Sequence, residues 1–94
     1  MNERNNVFKR LAGMLDMSSQ PMPGMPIIEM AGNKRVLIEN HRGVIGYGQE
    51  RIGVLVKIGK IVVMGSDLEI CYMSRQQLII TGCIESVSIE RGCD

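Results

Sequence analysis

The groups in this chain that could do chemistry are few and widely spaced. His41 is the only histidine, so one copy cannot build a two-histidine metal site, and Cys71, Cys83 and Cys93 show no CxxC spacing. A cysteine and a histidine need only meet in space to form a nucleophilic pair. None of these thiols, however, sits at a helix N-terminus or beside a basic cluster, the settings that activate a thiolate. Gly43-Val44-Ile45-Gly46-Tyr47-Gly48 is rich in glycine but lacks the Lys-Ser/Thr of a phosphate loop, and it reads as a tightly bent strand. Asp67, Glu69, Glu85 and Glu90 alternate with apolar residues, as a solvated sheet face does, rather than forming an acid/base pair. The expectation is a chain with no catalytic residue, no metal and no cofactor. Such a chain acts by contact and is not an enzyme.

The elements that would position these groups are set by composition. Ninety-four residues make one domain. Val and Ile number 20 against 8 for Leu and Ala together, which favours a pleated sheet over a helical bundle. One Phe, two Tyr and no Trp leave almost no base-stacking platform, and 11 basic against 10 acidic residues leave no footprint for a phosphate backbone. Nucleic acid is therefore excluded as the expected partner. No apolar run exceeds four residues, far below the roughly 18 to 20 of a membrane span. The opening MNERNNVFKRLAGML has no apolar core of a secretory signal, so the expected compartment is the cytosol. Three cysteines there read as reduced: Cys71 and Cys83 as buried free thiols, Cys93 in a loose tail.

Three segments follow from the distribution of residue types. Residues 1–20 hold one Val and no Ile; Val7, Phe8, Leu11, Met14 and Leu15 fall within an arc of about 120° on a helical wheel. This predicts a short amphipathic helical arm, weakened by Gly13, whose face Phe8, Leu11 and Leu15 needs a surface to dock on. Either the sheet of the same domain or a partner provides it; as a peripheral membrane anchor it is weak, with five apolar and two basic side chains. Residues 21–26 are a linker, because Pro21, Pro23 and Pro26 each remove a donor and push the preceding residue out of the α region.

Residues 27–91 form a single β domain. Short runs alternate between apolar and polar, and turn residues separate them, which predicts about eight strands: 27–31, 34–39, 43–48, 51–58, 61–64, 68–73, 77–81 and 84–90. Turns are expected at 32–33, 40–42, 59–60, 65–67 and 74–75. Gly48, Gly65 and Gly82 recur every 17 residues. A meander folded into a compact roll or sandwich gives this period; so does a short β-solenoid with two strands per coil. The roll is the preferred reading, and either leaves sheet edges open to self-association.

Asn40-His41-Arg42-Gly43 is the candidate recognition loop. As a plain turn, Asn and Gly supply unusual backbone angles and His41 and Arg42 form its exposed tip. As a binding patch, Arg42 would hold a carboxylate-bearing partner through a bidentate pair. The surrounding stretch, Val36-Leu37-Ile38-Glu39-Asn40-His41-Arg42-Gly43, resembles the IENHRG segment of the YabP/YqfC family of sporulation proteins, its YqfC branch in particular. The resemblance extends to a basic N-terminal helix, the lead-in Pro26-Ile27-Ile28-Glu29-Met30, and the strands Gly59 to Gly65, Leu68 to Ile70 and Leu78 to Ile84. The helix here is less basic than the family pattern, and three cysteines depart from it. What the resemblance implies is a non-enzymatic protein of endospore-forming bacteria. It would be made in the mother cell and support assembly of the spore envelope or coat, with other envelope or coat proteins as partners. The competing expectation is a small ligand-binding or enzymatic β domain unrelated to sporulation, which would enclose a deep polar cleft.

Overall fold

A computed structural model describes residues 23–92. The N-terminal arm, with Phe8, Leu11 and Leu15, and Cys93 lie outside the described residues. Six strands follow one another: β1 (Ile27–Ala31), β2 (Arg35–Glu39), β3 (Gly43–Tyr47), β4 (Arg51–Val56), β5 (Gly59–Met73) and β6 (Gln77–Arg91). All pairings are antiparallel, in one sheet of order β1-β2-β6-β5-β4-β3. Alternation explains the shorter strands directly. In β2, Val36 and Ile38 are buried while Arg35 is exposed; in β4, Ile52, Val54 and Val56 are buried while Leu55 faces out. An antiparallel sheet of this order is incompatible with the parallel coils of a solenoid.

The eight expected strands become six because the last four fuse in pairs. Gly65-Ser66-Asp67 is no turn: it lies inside β5, a strand of 15 residues, and the Gly82-Cys83 break lies inside β6, also of 15. Three bulges interrupt the β5–β6 ladder. Glu85 has no partner between Ser86↔Met64 and Ile84↔Gly65; Asp67 and Leu68 together oppose Gly82; and Cys71 is extra between Ile70↔Ile80 and Tyr72↔Ile79. The backbones come very close at this crease. A Cβ on Gly65 would collide with the Cys83 carbonyl oxygen, and one on Gly82 would sit 2.6 Å from that of Asp67, with φ at +142° besides. Asp67 itself has φ +54°. The two neighbouring hairpin turns tie the crease down. Gly65 and Leu68 donate to Glu50 and Gln49 of the β3–β4 turn, and Gly82 and Ile84 donate to Lys34 and Asn33 of the β1–β2 turn. The 17-residue period thus marks one hairpin turn, at Gly48, and the two bends of the crease beside it, at Gly65 in β5 and Gly82 in β6.

The crease folds the sheet onto itself. Laid straight, 15 residues would reach about 50 Å. Yet the β2–β3 connection touches both ends of the hairpin. The Asn40 N–H donates to Gln76 O at 2.6 Å at the hairpin tip, while the Arg42 N–H donates to Leu55 O at 2.7 Å, beside Lys60 at its base. Adjacent Cα atoms lie about 3.8 Å apart, so tip and base are only a few residues from each other. Buried side chains from both halves form one core: Val36, Ile38, Leu78 and Ile80 from one, Ile52, Val54, Val56, Ile61 and Val63 from the other, with Leu68 and Ile84 at the crease. The thiols differ from expectation, because Cys71 and Cys83 are exposed. Cys71 is a bulge residue in the part of β5 that pairs only with β6, and Cys83 lies on the outside of the crease, its sulfur 3.7 Å from Lys34 Nζ.

Candidate functional site

The Asn40–Gly43 connection crosses from one half of the roll to the other, and each residue has a separate task. Asn40 turns the chain with φ +64°, a left-handed conformation that Asn tolerates better than most side chains. Its Nδ2 donates to Met25 O at 2.8 Å, which fixes the lead-in to β1. His41 is buried, at 8 % exposure, and does not sit on an exposed tip. The Gly43 N–H donates to Nδ1 at 3.1 Å, so Nδ1 is the unprotonated nitrogen, and Nε2–H then donates to Ser74 O at 2.8 Å. The imidazole is a strut between the loop and the β5–β6 tip. Ser74 is fixed in turn, its hydroxyl accepting from the Gln77 N–H at 3.0 Å. Gly43, with φ +131°, starts β3 opposite Leu55.

Arg42 alone of the four presents its side chain to solvent, on a backbone held on both sides. It borders a groove at the open end of the roll with a volume of about 700 Å³. Lys57 and Arg91 stand at the same rim, and Leu55, Ile58 and Ile89 line it. Among the described residues no carboxylate lines it. Glu90 points elsewhere, paired with Lys60 at 3.3 Å in an exposed bridge that contributes at most about 1 kcal/mol. That is the only ion pair among the described residues. Asp67, Glu69, Glu85 and Glu90 are all exposed.

Sequence reasoning reached Arg42 and missed Lys57 and Arg91. Lys57 belongs to the β4–β5 turn and Arg91 ends β6, so only the antiparallel register places them beside a loop 15 and 49 residues away in the chain.

A family model described as the YabP family matches residues 25–92, a span that takes in all six strands, the connecting loop and the groove. The chain belongs to the YabP family. Among the relatives of this YabP-family chain is a Bacillus subtilis (strain 168) protein, named Uncharacterized protein YqfC. It is 27% identical over 88 residues, which cover 93% of this chain and 95% of the relative. No solved structure matches this chain. The match begins at Met25, the residue whose carbonyl the Asn40 side chain holds, so the part of the chain that defines the YabP family here coincides with the roll and its closure.

Proposed function

We propose that this YabP-family chain is a non-enzymatic assembly protein of sporulation, made in the mother cell and acting at the forespore surface through contacts with other envelope or coat proteins. The observation that carries the reading is Arg42. Its backbone is fixed by the bond to Leu55, its neighbours Asn40 and His41 are anchored to Met25 and Ser74, and its guanidinium is left in solvent. An anchored backbone fixes where this cation leaves the surface, and an exposed guanidinium can take a carboxylate of a partner through a bidentate pair. Family membership supports the sporulation context. Open sheet edges at β1 and β3 supply further surface for association, including with a second copy.

Imaging a fluorescently tagged full-length chain in its native host through a sporulation time course tests this reading. A ring around the forespore is the expected result. Uniform signal in vegetative cells would overturn it.

A further inference from the structure

We propose that the cationic groove and the adjoining free edge of β6 together bind an extended acidic segment of a partner protein, which adds to the sheet as an extra strand. This deepens the interaction reading above and rests on it. Two independent observations meet at the same place. The first is charge: Arg42, Lys57 and Arg91 border the groove, and among the described residues none of the three is in an ion pair, Lys57 Nζ donating only to the Pro23 carbonyl at 3.2 Å, so the groove offers an anionic guest three cations. The second is backbone. β2 leaves β6 after Thr81, and among the described residues the stretch from Glu85 to Arg91 pairs with β5 alone. Its other side presents unpaired main-chain donors and acceptors.

The register defines what the guest must carry. Val87, Ile89 and Arg91 lie opposite Val63, Ile61 and Gly59 and share their face; Val63 and Ile61 are fully buried, while Ile89 is 49% exposed in the groove. A strand laid against β6 therefore directs every second side chain to this face, an acidic residue next to Arg91 and apolar ones next to Ile89 and Val87. The groove opens to solvent along Ile89, which is 49% exposed, so it does not enclose a small molecule on most sides. An extended peptide, anchored by main-chain bonds along the edge, needs no such enclosure.

The test titrates the full-length chain with a fluorescently labelled peptide having a Glu-Thr-Leu-Thr-Val core. Comparison probes are a version with Lys in place of Glu, a version N-methylated at alternate amides, and dodecanoate. The expected result is binding of the Glu peptide alone. It should weaken with added salt and by about tenfold in Arg42→Glu and in Arg91→Glu. Each variant is checked by thermal melting, with Arg42→Gln and Arg91→Gln used where reversal lowers the melting temperature. Equal binding of the Lys or N-methylated peptide, unchanged binding by the variants, or binding of dodecanoate without the peptide would overturn the proposal. A chain that fails to bind the peptide yet still rings the forespore would also overturn it, leaving the broader assembly reading intact.

Discussion

His41 and Arg42 are neighbours in one short motif, yet they act on different properties of the molecule. The imidazole satisfies the Gly43 N–H and the Ser74 carbonyl from a buried position. Removing it strands both groups, so His41→Ala should lower stability by about 2 to 3 kcal/mol. Arg42→Ala removes only an exposed side chain and should change stability by less than about 0.5 kcal/mol while impairing sporulation. Thermal melts and spore counts on the two variants separate these effects; a normal spore count for Arg42→Ala with a wild-type melt would leave the motif a purely structural device. The turn character of Asn40 and Gly43 was legible in the sequence, since both residue types accept positive φ, and both have it. The burial of His41 was not, because its partner Ser74 lies 33 residues away and no local pattern reports that meeting.

At the scale of elements, the crease in the β5–β6 hairpin matters most. Gly65 and Gly82 face backbone, not flexible side chains, so the structure cannot yield to an added methyl group. Gly82→Ala combines a collision with the Asp67 carbonyl and a φ of +142°, and should cost more than about 3 kcal/mol or abolish cooperative melting. Gly48→Ala, at the third position of the same 17-residue period, should cost far less, its added Cβ lying 3.4 Å from the Arg51 carbonyl oxygen at the edge of ordinary contact. Thermal denaturation of the two variants checks the contrast. The sequence marks the bends but not their nature. Gly-Ser-Asp is equally the signature of a hairpin turn and of a bulge, and the choice depends on whether β6 lies alongside to continue the ladder. The thiols were misplaced for another reason: alternation sets Cys71 on the side of exposed Glu69, opposite buried Leu68, and an apolar residue type does not by itself turn inward.

For the whole molecule, the core cluster formed among the described residues runs from Val36 to Ile84, and one loop closes the roll around it. Residues 21–94 expressed alone should therefore give a soluble domain with a cooperative melt and β-type circular dichroism, while losing localisation or assembly. An insoluble or molten product would place the arm's face of Phe8, Leu11 and Leu15 within the core instead. The strand order carries a consequence for how the chain reaches this state. β2 lies beside β6, with Arg35 paired to Thr81, so the second strand waits for the last one before its ladder is complete. During synthesis, at about 5 to 20 residues per second, β1 and β2 emerge seconds before β6 and spend that interval as an isolated ribbon. Refolding should accordingly be slow for so short a chain, in milliseconds to seconds, because the decisive pairing joins residues 38 to 46 positions apart. A ribosome stalled just before β6 would hold a chain with two of its five strand pairings unmade, and a chaperone or an early partner has that interval in which to act.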